Sequence, residues 1–152
     1  QDSIYNSPQS QFFLGNIYLK GEYITQNVDK SIHYFSLAAN QNDSNAQTIL
    51  GNIYYYGINV KIDINKAIKY YTLAANQNNS DAQTQLRHIY SDSLHVPLDT
   101  KRAIYYYTLG KSLAAHFSLG MLYILGKLIA KDFDKGIHFL TLSLYNNCKA
   151  QY

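Results

Sequence analysis

The stretch "LAANQNDSNAQT" at Leu37–Thr48 returns as "LAANQNNSDAQT" at Leu73–Thr84, displaced by 36 residues with ten of its twelve letters unchanged. Working outward from this pair exposes a longer pattern. "FFLGNIYLKG" ends at Gly21, "TILGNIYYYG" at Gly57, "TQLRHIYSDS" at Ser93 and "FSLGMLYILG" at Gly126. Each is followed by a second block: "NVDKSIHYFSLAA", "DINKAIKYYTLAA", "DTKRAIYYYTLGK" and "DFDKGIHFLTLSL". Four copies of a two-part unit at this period mark stacked supersecondary repeats.

Both parts read as helices. Ala46, Ile49, Leu50, Ile53, Tyr54 and Gly57 share one face of a 3.6-residue period, as do Ala67, Tyr70, Tyr71 and Ala74. Asp63 or Asn65 is placed to cap the second helix by accepting backbone N–H bonds. Gly15, Gly51 and Gly120 follow the core leucine inside the first helix. A mid-helix glycine costs about 1 kcal/mol against alanine, so its recurrence implies close approach of the second helix. Ile24, Val60, Val96 and Ile129 occupy the loop between the helices and are expected to plug the end of each pair. Pro8 and Pro97 stay outside the helical stretches, as a missing N–H requires.

The order A-x-x-x-L-G-x-x-Y-x-x-G, then D-x-x-K-A-x-x-Y-Y-x-x-A-A, is carried by Ala46, Leu50, Gly51, Tyr54, Gly57, Asp63, Lys66, Ala67, Tyr70, Tyr71, Ala74 and Ala75. It resembles the Sel-one-like repeat, a relative of the tetratricopeptide repeat. The resemblance implies an all-α fold: an αα-solenoid, a right-handed superhelix of four stacked helix–turn–helix repeats. It also implies an adaptor or scaffold for other proteins. The repeats are expected at about 8–43, 44–79, 80–112 and 113–149, in one array. Ala150-Gln151 matches Ala46-Gln47, so a fifth repeat is expected near 150 and the chain is read as part of a longer one.

Two departures stand out. Arg87 replaces the close-contact glycine of the third copy, so either its aliphatic stem snorkels outward or that pair is splayed. The step to the fourth copy is 33 residues rather than 36, and "GKSLAAHFS" has lost the "NQNNSD" turn.

Composition narrows the chemistry. The 152 residues are 47% hydrophobic and 15% charged, with sixteen Tyr, six Phe and no Trp. That is a chain able to bury a core. The net charge is +3 and the thirteen Lys and Arg are scattered, with no basic block of the kind a polyanion-binding arm carries. Cys148 is the single cysteine and can neither staple the fold nor build a zinc site. A cytoplasmic setting is favoured. The longest apolar run, "LGMLYILGKLIA", falls short of the roughly 18–20 residues of a membrane span, so no membrane insertion is expected.

The five histidines show no HExxH pair. His33 and His138 share a register position with Lys69, which marks a solvated face. "GMLYILGKL" has five residues between its glycines rather than four, and Leu128 where a phosphate loop needs Ser or Thr. No catalytic, metal or cofactor site is expected, and no enzymatic activity.

What remains is the outward side of the first helices. Partner-binding residues are expected at Asn16, Gln47, Asn52, Tyr55, Gln83, His88, His116, Phe117, Met121 and Ile124. The row Asn16, Asn52, His88 offers donors and acceptors to a peptide backbone. A protein or peptide partner in a groove lined by the first helices is therefore the primary expectation. The alternative is an RNA-binding helical-repeat array, whose period is close. It would need basic residues along the groove, where only Lys20 lies nearby. The apolar Phe117, Met121, Ile124 and Leu125 of the fourth copy, with Leu140 and Leu144 of its second helix, predict self-association through exposed repeat ends.

Overall fold

The computed structural model describes residues 6–92, 96–110, 113–127 and 129–149, the last five of these and residue 113 by backbone only. Among them lie eight α-helices: α1 (Pro8–Lys20), α2 (Val28–Asn40), α3 (Ser44–Tyr56), α4 (Ile64–Asn76), α5 (Ser80–Ser91), α6 (Thr100–Leu109), α7 (Leu113–Leu125) and α8 (Phe133–Lys149). They form four helix–turn–helix repeats of an all-α solenoid; Pro8, expected outside the helices, is the first residue of α1, where a missing N–H forfeits no intrahelical bond. The expected fifth repeat at Ala150, and the loop residues Ser93 and His95, lie outside the described residues.

The repeated dodecamer now has a job for each part. Ala38 and Ala39 close the last turn of α2. Asn42 turns into the left-handed region at φ 63°, and Asn78 does the same at φ 64°. Asparagine tolerates this conformation because its short polar side chain bonds locally. The Asp43 N–H then donates to the Ala38 carbonyl at 3.1 Å, and Asn79 to Ala74 at 3.1 Å, which closes the helix C-terminus. The same Asp43 caps the next helix, accepting from the Ala46 N–H at 2.7 Å; Asn79 accepts from Ala82 at 3.1 Å. Two helix ends are satisfied in three residues, which is why the letters recur.

The other turn is as strict. Gly21, Gly57 and Gly126 sit at φ +69°, +67° and +66°, where a side chain is strained. Nine residues after Tyr18, Tyr54, Tyr90 and Tyr123, a backbone N–H returns to the tyrosine carbonyl: from Asn27 at 2.9 Å, Asp63 at 2.9 Å, Asp99 at 3.3 Å and Asp132 at 3.1 Å. Asn27, Asp63, Asp99 and Asp132 are also the N-caps of α2, α4, α6 and α8, each accepting from the residue three further on. Of the two candidate caps in the second copy, Asp63 acts and Asn65 does not. Val60 packs against the core, but Ile24 is exposed and plugs nothing. In that first loop the Gln26 side-chain amide donates to the Leu19 carbonyl at 2.7 Å instead.

The chain divides into two compact units, residues 1–82 and 83–152. In the first, α1 packs on α2, α3 on α4, and α2 on α3. Its core joins Phe35, Ala38 and Ala39 to Ala46, Leu50 and Ile53, with Ile32 and Ile49 packed alongside. The glycine rule holds here. A Cβ on Gly15 would lie 2.7 Å from the Phe35 ring, and one on Gly51 would lie 2.5 Å from Tyr71.

In the second unit α7 packs closely on α8, and α6 on α7. A Cβ on Gly120 would meet Leu140 at 2.8 Å and the Gly136 carbonyl at 2.9 Å. The α5–α6 pair has no glycine at this position. Arg87 stands where the glycine should be, and its guanidinium lies over the Tyr107 ring at 4.9 Å. The side chain therefore neither points freely to solvent nor clashes. It lies along the seam, with the aromatic face in place of water. Its Nε is buried without a hydrogen-bond partner.

Candidate partner-binding surface

Each repeat spends its recurring polar and aromatic residues on one rung. A tyrosine of the first helix stacks on an aromatic of the second: Tyr18 on Tyr34 at 5.6 Å, Tyr54 on Tyr70 at 5.9 Å, Tyr90 on Tyr106 at 5.9 Å and Tyr123 on Phe139 at 5.9 Å. All four pairs are within 5° of parallel. A cation covers the outer ring each time: Lys30 at 5.2 Å, Lys66 at 4.9 Å, Arg102 at 5.2 Å and Lys135 at 5.7 Å. Where the cap is aspartate the same cation pairs with it, at 3.8 Å (Lys66–Asp63), 3.3 Å (Arg102–Asp99) and 3.1 Å (Lys135–Asp132). Hydrogen bonds to Lys135 hold the Asp132 carboxyl below its usual range. Such exposed pairs are individually weak, but cap, cation and stacked rings together fix the angle of each helix pair. Sequence reasoning marked the tyrosines and the lysine and missed that they touch. Their constant spacing was the available signal.

Three expected partner-binding residues belong to the scaffold instead. Gln47, Gln83 and His116 are buried. They occupy one register position in the first turn of α3, α5 and α7, where the side chain folds back toward the preceding turn. The Gln47 amide donates to the Ala39 carbonyl at 3.1 Å, and its oxygen accepts from Gln77 at 2.8 Å. Gln11 accepts from Gln41 at 2.8 Å in the same way. This amide clamp ties the turn after the second helix to the start of the first. Gln83 lies near Gly110, its Oε1 3.8 Å from where a Cβ on that glycine would stand. His116 stacks on Phe139 at 6.3 Å, with its Nδ1 buried and unpartnered.

The remaining seven keep some surface. In the first unit Asn16, Asn52 and Tyr55 are half-buried. Asn16 donates to the Phe12 carbonyl of its own helix at 3.1 Å. The Asn52 oxygen accepts from the Tyr71 hydroxyl at 2.8 Å, and its NH2 group is left over. Burial, with Tyr56 and Tyr55 nearby, raises the Tyr71 pKa well above that of a free phenol. Tyr55 lies edge-on to Tyr56 at 4.9 Å. A hollow of about 240 Å³ opens beside Asn16, lined by Phe13, Ile17, Lys20, Glu22 and Tyr23.

In the second unit His88 is exposed, and Phe117 is 55% exposed. Partial burial, then the Arg87 charge, lower the His88 pKa below the usual imidazole value. Met121 is half-buried. Ile124 is largely committed inward, since a Cβ on Gly136 would lie 2.6 Å from its Cγ1. The expected patch of four apolar side chains on α7 thus shrinks to Phe117 and Leu125 as its exposed members. Among the described residues no group of three or more His, Cys, Asp or Glu could hold a metal ion. No described helix is long and apolar enough to cross a membrane.

The Sel1 repeat model matches residues 8–43, 44–79, 80–113 and 113–147. The chain belongs to the Sel1 repeat family. A Sel1 repeat protein from Oxalobacter formigenes is similar in structure at 33% identity and a TM-score of 0.78, over 95% of this chain and 60% of that one. The protective antigen c5321 of uropathogenic Escherichia coli strains, which displays the SLR fold, is similar at 25% identity and a TM-score of 0.83, over 95% of this chain. This chain spans 60% of the first protein's length and 32% of the second's. No curated protein matches by sequence. Repeats of this family are generally protein-interaction scaffolds.

Proposed function

We propose that this chain is a non-enzymatic scaffold that holds a peptide or a partner-protein surface against the outward side of its first helices. The observation that carries the reading is the split between recurring and changing residues. Caps, cation–tyrosine rungs, glycines and amide clamps recur, and the repeat's own packing consumes them. One register position changes along the array: it holds Asn16, Asn52, His88 and Met121 in successive copies, with Tyr55 and Phe117 beside it. Residues that keep some surface and vary along a constant framework are what a recognition surface needs. Amides and an imidazole suit a peptide backbone, while Phe117 and Met121 suit an apolar anchor.

A peptide selected from a random library against this chain provides the ligand. Titration calorimetry should give a defined 1:1 isotherm that survives 0.5 M salt. Phe117→Glu or Asn52→Ala should weaken binding about tenfold or more with helicity unchanged. No selectable peptide, or full affinity in both variants, contradicts the proposal. Affinity that collapses with salt would point to a polyanion as the ligand.

A further inference from the structure

The third copy places an arginine where the other copies have Gly15, Gly51 and Gly120. Arg87 is half-buried on α5. Its guanidinium lies over the Tyr107 ring at 4.9 Å, and its Nε is buried with no hydrogen-bond partner. Among the described residues no carboxylate pairs with it, whereas Lys20, Lys66, Arg102 and Lys135 each have one. Lys61, Lys69 and Lys101 are exposed, so water solvates them. A half-buried cation is different. It has given up part of its hydration, and a ring face returns only some of that. The ring beneath it also limits how the planar fork can turn. This group lies beside the changing row of the first helices. His88, the next residue, belongs to that row and is exposed. The Arg87 charge reaches it, acting after partial burial to lower the His88 pKa below the usual imidazole value, while Asp92 acts in the opposite sense. At pH 7 the imidazole is therefore largely neutral and can donate one hydrogen bond. A single positive charge on a planar fork suits a monoanion with two oxygens in one plane, which is a carboxylate. A phosphate dianion would call for a second cation.

We propose that Arg87 and His88 form a carboxylate-binding subsite, in which the guanidinium donates to the oxygens of a carboxylate on the bound peptide and the imidazole donates beside it. The inference rests on the peptide-scaffold reading above and adds the chemistry that the ligand carries at the third repeat: an Asp or Glu side chain, or a free C-terminus. Pairing there supplies the counter-charge that the fold itself does not, in a setting where solvent screens it less than at an exposed site.

Peptides selected from a random library against the wild-type chain test this through a double-mutant cycle. Arg87→Met removes the charge and keeps an unbranched stem for the Tyr107 ring, and far-UV circular dichroism confirms that it is folded. For the tightest wild-type peptide, each Asp or Glu is replaced by Asn or Gln in turn, and the C-terminus is amidated. One of these changes should weaken binding to the wild type about tenfold or more by titration calorimetry. The same change should cost less than about threefold against Arg87→Met, because the partner is already gone. The position that couples identifies the carboxylate as a side chain or a chain end. Arg87→Lys, which keeps the charge without the fork, should recover only part of the affinity. Peptides that bind the wild type with no carboxylate needed overturn the subsite and leave the scaffold reading standing. So does a carboxylate whose removal costs as much against Arg87→Met as against the wild type. Failure to select any peptide overturns both.

Discussion

Replacing Gly51 by alanine sets two ordinary rules against each other. In an exposed helix the change should stabilise by about 1 kcal/mol, from propensity alone. Here the new Cβ would lie 2.5 Å from Tyr71 Cε1, 2.6 Å from Cδ1 and 3.0 Å from Cζ. Ordinary contact needs roughly 3.5–4 Å, so ring or helix must move by about an ångström. The ring has nowhere to go. Tyr71 is fully buried, and its hydroxyl is tied to Asn52 at 2.8 Å. Overpacking of this kind costs about 1–3 kcal/mol, and a weakened buried hydrogen bond adds about 1 kcal/mol. The net expectation is a destabilisation of about 1–3 kcal/mol, read from urea unfolding by circular dichroism. Two controls isolate the cause. At Gly110 the nearest neighbour of an added Cβ is 3.4 Å away and φ is −74°, so Gly110→Ala should be neutral or stabilising. In a Tyr71→Ala background, Gly51→Ala should change sign and stabilise. A Gly51→Ala protein more stable than its parent, or an unchanged effect without the ring, would refute the close-approach account.

Other perturbations test separate parts. Leu50→Ala, at a fully buried position, should cost about 2–5 kcal/mol and lower the urea midpoint accordingly. Asp63→Ala removes the cap of α4 and the partner of Lys66 and should cost about 0.5–2 kcal/mol, whereas Asn65→Ala should be close to neutral. Arg87→Gly loses the contact over Tyr107 along with helix propensity, so it should destabilise by about 1 kcal/mol; a higher midpoint would mean that the unpartnered Nε costs more than the ring contact returns. The folded pKa of His88 is lowered, so the unfolded chain binds its proton first as pH falls. Stability linked to His88 is therefore present above about pH 6.5 and lost below it, and His88→Asn should flatten that part of the pH–stability curve.

Much of the repeat was legible because its physics is local or strictly periodic. The glycine at Gly51 announced close approach by recurring at a position where propensity disfavours it. Asp63 announced a cap, and Asn42 and Asn78 a turn, through residue types that few other roles explain. Burial of polar residues was not legible. Gln47 looks outward on a helical wheel, yet its long side chain reaches back to Ala39 and Gln77, partners that period alone does not reveal. The role of Lys66 was hidden likewise, since a cation at an exposed position reads as solubility until the ring beneath it is seen. At Arg87 the sequence left two outcomes open. The structure resolves them through Tyr107, whose counterparts in the first two copies, Phe35 and Tyr71, lie against glycine. The apolar patch expected on α7 shrank because Gly136, inconspicuous in the sequence, makes room for Ile124.

The central claim is that the changing row on the first helices, and not the recurring framework, holds a partner. An amide chemical-shift map of the isotopically labelled chain with its selected peptide tests it most directly. The account predicts perturbations concentrated at Asn16, Asn52, Tyr55, His88, Phe117 and Met121, with the amides of the second helices, including Lys69, Leu73 and Tyr105, largely unmoved. Perturbations centred on the second helices, or on the loops around Ile24 and Ile62, would contradict it.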